Sequence, residues 1–323
     1  MKILFLTEGG EKIGFGHIIR CIALCEAFEE KCINPELLVN GESSILGLLK
    51  HKNFKIHDWI KNKEKLFQNI AKSDFIVIDS YLAEKSIYDK ISEVTGGKML
   101  MIDDYNRIEY PKGIVVNPSI YGDKLDYLRK SDAIYLLGKD YIILRKEFWN
   151  VPEKKISKKV KNVLITFGGM NNYDLANKIA NFLKEKFNIK IYIVNAKINK
   201  LTAKEMLNLM LKSDICISGG GQTTYELARA GVPTIGICLA ENQLGNLTSW
   251  EKVGILKNAD WFNDKKLFQT IEEIFNDLGY ESRLRMSKTG KEYFDGQGSK
   301  RIIKEILGRA GKYKIINFKE GQR

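Results

Sequence analysis

The chain has 323 residues, 44% apolar and 28% charged, the balance of a soluble globular protein long enough for two domains. Its formal net charge is +12, but the lysines are scattered over nearly every predicted helix and turn, without the basic stripe and interleaved aromatics of a nucleic-acid site. No apolar run approaches the ~18 residues of a membrane span, and Cys21, Cys25, Cys32, Cys216 and Cys238 lack the spacing of a disulfide framework, so they read as buried free thiols.

The first apolar run, Ile3-Leu4-Phe5-Leu6, is a predicted strand, so no leader is expected ahead of it and the expected location is cytoplasmic. It runs into a loop with glycines at 9, 10, 14 and 16 and then His17, after which Ile18, Cys21, Ile22, Cys25 and Phe28 recur at helical spacing. Further strands are predicted at 36–39, 54–56, 75–78, 99–102, 114–116 and 134–137, with helices at 45–50, 64–71 and 83–94. Continuous apolar strands alternating with helices predict a parallel sheet covered on both faces. Residues 151–160 are charged, contain a proline and lack periodicity, so they are the predicted linker. A second cycle follows, with strands at 163–166, 189–194, 215–218 and 234–239, and helices at 175–183, 203–211, 225–230 and 242–253. Only one helix fits between Val194 and Ile215, and Gly231-Val232-Pro233 stops the helix before it. Two or three amphipathic helices close the chain near Leu307. The expected domains are 1–150, a linker at 151–160, 161–310, and a tail at 311–323 with a short Ile315-Ile316-Asn317-Phe318 run.

The chemistry-bearing residues recur at the carboxyl ends of strands: His17, Asp79, Tyr81, Asp103, Asp104 and Asn117. That edge is where open α/β sheets bind ligands. His17 stands at the mouth of a helix, where the positive end of the dipole favours the neutral imidazole that a general base requires; the plain alternative is a helix cap. The loop lacks the last glycine of a dinucleotide fingerprint and the Gly-Lys-Ser/Thr of a phosphate loop. In the second half, Ser218 to Thr224 opens a helix, and its backbone amides with Thr223 and Thr224 suit a pyrophosphate. Glu226, in the first turn, suits the vicinal hydroxyls of a ribose or simple dipole complementation. Asn242 and Gln243 suit sugar hydroxyls or an acetamido group, or cap the next helix. Phe167-Gly168-Gly169 lines a diphosphate or is a tight turn. Asp79 with Asp103-Asp104 lacks an Asp-x-Asp motif, so no metal is expected.

A specific resemblance rests on Ile13-Gly14-Phe15-Gly16-His17-Ile18 with Arg20, Ile78-Asp79-Ser80-Tyr81, Ile102-Asp103-Asp104, residues 138–148, Phe167-Gly168-Gly169 and Asn242-Gln243. Over about residues 1 to 260 these resemble the UDP-2,4-diacetamido-2,4,6-trideoxy-β-L-altropyranose hydrolases of pseudaminic acid biosynthesis and the related SpsG-like polysaccharide proteins. The run at 218–222 is closer to the SpsG-like members. That family is similar to MurG, so the resemblance implies a GT-B-like α/β fold, two Rossmann-like domains with parallel sheets facing an interdomain cleft. It implies inverting, metal-independent release of UDP, with His17 activating water and Tyr81 and Asn242 beside the sugar as the rest of the catalytic set. The implied substrate contacts are Gly14, Phe15, Gly16, Arg20, Asp79, Asp103, Asn117, Gly168, Gly169, Gly220, Gly221, Gln222, Thr223, Glu226 and Gln243. The alternative is a glycosyltransferase moving the sugar to an acceptor. No cofactor is expected. The expected partner is a UDP-sugar, with no nucleic acid and no transmembrane segment, peripheral membrane contact left open, and the chain a monomer or weak dimer.

Overall fold

The computed structural model describes every residue except 12, 129–131, 169–171, 196–200 and 321–323, with backbone alone for 310–320. The chain forms two compact units, Met1–Ile143 joined by the segment from Gln297 onward, and Leu144–Gly296.

The first unit contains β1 (Ile3–Gly9), α1 (Gly16–Glu29), β2 (Glu36–Gly41), α2 (Leu46–Leu49), β3 (Asn53–Ile56), α3 (Lys63–Ile70), β4 (Phe75–Asp79), α4 (Lys85–Thr95), β5 (Met99–Ile102), β6 (Gly113–Asn117) and β7 (Ala133–Leu137). The strands pair in the order β3-β2-β1-β4-β5-β6-β7, every neighbour parallel. Every residue of β1, β4, β5 and β6 is buried, which is why these runs are apolar without alternation. One face packs Leu4, Leu6, Ile76, Ile78, Met99 and Met101 against α3 and α4. Trp59, fully buried, donates its indole N–H to the Thr7 carbonyl at 2.9 Å and so ties the segment after β3 to β1. The strand order reverses at β1, whose neighbours are β2 and β4. A crevice opens at such a reversal, outside the carboxyl ends of the strands.

The second unit contains β8 (Asn162–Thr166), α5 (Tyr173–Lys186), β9 (Lys190–Val194), α6 (Ala203–Lys212), β10 (Ile215–Gly219), α7 (Gln222–Arg229), β11 (Thr234–Cys238), α8 (Leu244–Lys252), β12 (Leu256–Trp261), α9 (Leu267–Asp277) and α10 (Tyr280–Tyr293). Its parallel order is β12-β11-β10-β8-β9, with the reversal between β8 and β10. Helix α5 buries Ala176, Ile179, Ala180 and Leu183, one stripe at helical spacing. Helix α7 ends at Gly231, whose φ of +70° is the left-handed cap that the Gly-Val-Pro run predicts.

Three features depart from the sequence reading. Strand β12 is absent from the predicted elements because LKNADW is polar and buries only Leu256 and Ala259; it pairs with β11 alone, at the sheet edge. Helix α11 (Gly298–Glu320) runs through the expected tail and packs on the first unit, not the second. Its start lies so close to the Ile142 carbonyl that a Cβ at Gly298 would sit 2.1 Å from it, Arg301 donates to the Asp140 carbonyl at 3.0 Å, and Ile302, Ile303 and Ile306 are buried. Helical periodicity gives such a helix its apolar face but not its partner. The boundary also falls at Ile143, ahead of the charged 151–160 segment, because Phe148 and Trp149 are buried and their carbonyls accept from Arg229. Within that segment Lys154 is buried, and its ammonium donates to the Leu211 and Ser213 carbonyls at the C-terminal end of α6 at 2.8 and 2.6 Å. Of the cysteines, Cys32 is exposed and the other four are buried. Among the described residues no helix is long and apolar enough to cross a membrane.

Candidate active site

After β1 the chain doubles back. Gly10 and Gly14 exchange backbone hydrogen bonds of 3.1 and 2.8 Å, and the φ of +91° at Gly14 is one that side chains avoid. Phe15 then caps α1, and Gly16 and His17 form its first turn. A side chain at Gly16 would meet no atom within 4 Å, so the fold's own packing does not require glycine there. His17 is 5% exposed, and Arg20, on the same helix face three residues on, is 8% exposed.

Asp79 at the end of β4 meets both. His17 Nδ1 lies 2.6 Å from Asp79 Oδ1, Arg20 Nη2 donates to the same oxygen at 2.8 Å, and Arg20 Nε donates to Oδ2 at 3.0 Å. Asp79 is fully buried, and burial alone would raise its carboxyl; the Arg20 and His17 contacts outweigh burial and hold it below the usual carboxylate range. A carboxylate only accepts, so in the neutral ring the short contact puts the proton on Nδ1 and leaves the lone pair on Nε2. Arg20 Nη2 also lies 3.2 Å from Nδ1, but its proton is directed at the nearer Asp79 oxygen.

The network continues through Asp104, which accepts from Arg20 Nη1 and from the Tyr81 hydroxyl. Tyr81 packs edge-on against His17 with centroids 4.4 Å apart. Glu8, wholly buried in β1, accepts from the Ser80 hydroxyl, Tyr81 N at 2.7 Å and Leu82 N at 3.0 Å, and so shapes the loop that carries Tyr81. Gly14, Phe15, Gly16, His17, Arg20, Asp79 and Tyr81 therefore gather where the sheet order reverses. Asp103 and Asn117 are committed elsewhere. Asp103 accepts from Asn106 N, Arg107 N, Tyr110 and Tyr127, and Asn117 bonds Tyr127 and Ser119. With their polar atoms engaged by the protein and both residues buried, they organise the loops after β5 and β6. Beside them a cavity of about 280 Å³ is lined by Arg107, Tyr110, Asp126, Tyr127 and Leu128, and His17 is not among its lining residues.

In the second unit the turn after β8 meets the loop after β10. A Cβ at Gly168 would lie 3.3 Å from the Thr223 hydroxyl, and Gly168 has φ +62°. Gly169 lies outside the described residues. The glycine run is not uniform. A Cβ at Gly220 would come 2.8 Å from Gln243 Cβ and 2.9 Å from Leu247, whereas one at Gly221 would meet nothing within 4 Å. Gln243 accepts from Gly220 N at 2.9 Å and Leu239 N at 3.2 Å, so its carbonyl braces the loop. Asn242 is exposed in the short turn of residues 241–243, and Gln222 and Thr223 are half-buried in the first turn of α7. Thr224 is buried and donates to the Gly219 carbonyl at 2.5 Å. Because α7 begins at Gln222, Glu226 lies in its second turn and not, as the sequence reading has it, in the first; it is buried and held in a bidentate pair by Arg145 Nε and Nη2, both at 2.6 Å.

Sequence reasoning assigned no role to Glu8 or Arg145, nor a partner to Asp104. Arg145 falls in the 138–148 motif, and Glu8 interrupts an apolar strand; each was a signal without a stated partner.

No family model matches the chain. It is 26% identical over 277 residues to an uncharacterised protein of Methanocaldococcus jannaschii, which covers 76% of this chain and 56% of that protein. It is 24% identical over 333 aligned positions to the spore coat polysaccharide biosynthesis protein SpsG of Bacillus subtilis, covering 94% and 96%. It is 25% identical over 288 residues to a Helicobacter pylori protein named pseudaminic acid cytidylyltransferase and UDP-2,4-diacetamido-2,4,6-trideoxy-beta-L-altropyranose hydrolase, covering 84% of this chain and 50% of that one. The chain thus spans about half the length of two of these three relatives. Among solved structures it resembles MurG of Acinetobacter baumannii, with a TM-score of 0.68 and 12% identity over 95% of this chain and 100% of that one. It also resembles an S. aureus MnaA solved with UDP, at a TM-score of 0.63 and 13% identity, covering 94% and 95%. The fold is GT-B-like, with two parallel α/β sheets in Rossmann-like units.

Proposed function

We propose that this protein is an enzyme of sugar-nucleotide metabolism that hydrolyses a UDP-linked diacetamido-trideoxy sugar to the free sugar and UDP. The observation that carries the reading is the 2.6 Å contact between His17 and Asp79, which leaves Nε2 as the basic atom of a buried imidazole at the ligand edge of the sheet. The name of the Helicobacter pylori relative supplies the substrate class. In the proposed step a water oxygen forms a bond to the anomeric carbon from the face opposite UDP, the bond from that carbon to the diphosphate oxygen breaks, and its electron pair leaves with UDP. Nε2 takes the water proton, and Asp79 stabilises the resulting imidazolium. The diphosphate is assigned to the backbone amides of residues 221–223 at the start of α7 and to the Gly168 turn. Glu226 is assigned to the ribose through the lone pairs that Arg145 leaves on its oxygens, and Asn242 to the sugar. Asp79 and Asp104 both hold the Arg20 guanidinium, with which a divalent cation would have to compete, so the reading assigns no metal.

The test is UDP release from the UDP-linked diacetamido sugar with water as sole acceptor. The parent chain should turn over, and His17→Ala should lose about 10²–10⁴-fold in kcat. Parent-like release by His17→Ala would remove the base assignment. Glycoside formed from an added acceptor in place of free sugar would instead make the reaction a sugar transfer.

A further inference from the structure

Tyr81 carries a polarity that the base assignment does not use. Its backbone N–H is held by Glu8, its ring rests edge-on against His17 at 4.4 Å and Tyr105 at 5.6 Å, and its hydroxyl donates to Asp104 Oδ2. Asp104 Oδ1 accepts from Arg20, itself locked on Asp79, so the carboxylate is fixed from behind. A phenol has one proton and two lone pairs. Here the proton is spent on a carboxylate that has none to return.

We infer that Tyr81 is a specificity-determining acceptor: its oxygen, oriented by Asp104, receives a hydrogen bond from an N–H or O–H donor on the sugar ring, and Asp104 is its positioning residue. The inference rests on the reading that the sugar lies at His17. It separates two roles that a tyrosine beside a base can play, because a hydroxyl committed to Asp104 does not protonate the departing diphosphate. Burial first, and then the Asp104 charge, push the phenol well above its ordinary range, in keeping with a group that stays protonated and does no acid–base work. An amide N–H is the donor that matches an acylamino sugar; a ring hydroxyl offers the same chemistry.

The test compares full-length parent, Tyr81→Phe, Asp104→Asn and the double variant for affinity toward UDP and toward the UDP-linked diacetamido-trideoxy sugar. UDP affinity should be the same in all four. Sugar-nucleotide affinity should fall about tenfold in Tyr81→Phe, the loss of one buried hydrogen bond. Asp104→Asn should fall at least as far, because Arg20 claims the new carbonyl, the amide N–H faces Tyr81, and the phenol proton is driven toward the ligand donor. The double variant should bind no more weakly than Tyr81→Phe alone, since no phenol remains to be misdirected; a merely structural Asp104 would add its loss. An analogue with hydrogen in place of the acetamido groups separates the donors: a persisting Tyr81→Phe effect assigns a ring O–H, a vanished one the amide N–H. Affinity is read as Kd where no UDP is released and as KM from initial rates where it is, so failure of the hydrolase reading shows as intact ligand and leaves the comparison readable. Parent-like sugar-nucleotide affinity in Tyr81→Phe, additive losses, or a parent that prefers the sugar nucleotide no more than UDP would overturn the assignment.

Discussion

Both units place a glycine-containing loop between a buried strand and a helix at the point where the strand order reverses, yet they hold those loops in different ways. After β1 the fixed parts are charged side chains: Asp79 and Asp104 share Arg20, Asp79 takes His17, and Glu8 pins the Tyr81 loop. After β10 the fixed part is backbone, pressed by Gln243 and Leu247 against Gly220, while Gly221 faces open space. A site that moves a proton needs one ring held in one tautomer. A site that binds a diphosphate needs amides held in one curve. The first loop should therefore be sensitive to charge at constant volume, and the second to volume at constant charge.

Asp79→Asn is the sharpest break of that contrast. Arg20 would claim the new carbonyl, the amide N–H would face Nδ1, and the ring proton would move to Nε2, where the base is needed. The expected loss in kcat is about 10²-fold or more, with UDP affinity unchanged. The same variant reads out in acid stability. Asp79 titrates lower in the folded than in the unfolded chain, so it stabilises the fold above the unfolded value of about 4, and that contribution is lost as pH falls through the folded value. Urea midpoints of Asp79→Asn should lack that part of the acid decline.

Arg145→Met probes a strong charge pair near the second loop. It strands the Glu226 carboxylate, whose side chain is 3% exposed, and should cost about 2–3 kcal/mol in chemical denaturation. Adding Glu226→Gln should recover part of the loss; an undiminished loss would mean that the arginine acts through its packing on Phe148 instead. Smaller again is the volume test. Gly220→Ala should cost about 1–2 kcal/mol because its Cβ lands on Gln243 and Leu247, while Gly221→Ala should leave stability unchanged and weaken UDP binding alone. Equal effects at the two glycines would erase the distinction between brace and cradle.

Much of this organisation was legible in the sequence. Fully buried parallel strands appear as unbroken apolar runs, so β4, β5 and β10 were readable, as was the gathering of polar residues at their carboxyl ends. Edge strand β12 was not, because one neighbour and half a buried face do not demand an apolar run. His17 and Arg20 share a helix face by spacing alone, but the sequence holds no distance to Asp79, so Arg20 and Asp79 read as ligand contacts when they are first of all partners of His17 and of each other. Asp103 and Asn117 show a related gap: a polar residue at a strand end can serve a ligand or the next loop, and their hydrogen bonds to the phenols of Tyr110 and Tyr127 are not written in the sequence.

The central claim is that water, activated by His17, attacks the anomeric carbon. It is tested most directly by turnover of the UDP-linked diacetamido sugar in ¹⁸O-labelled water, with products read by mass spectrometry. The account predicts label in the free sugar, none in UDP, and loss of both products in His17→Ala. Label in UDP, or labelled sugar released by His17→Ala at the parent rate, would contradict it.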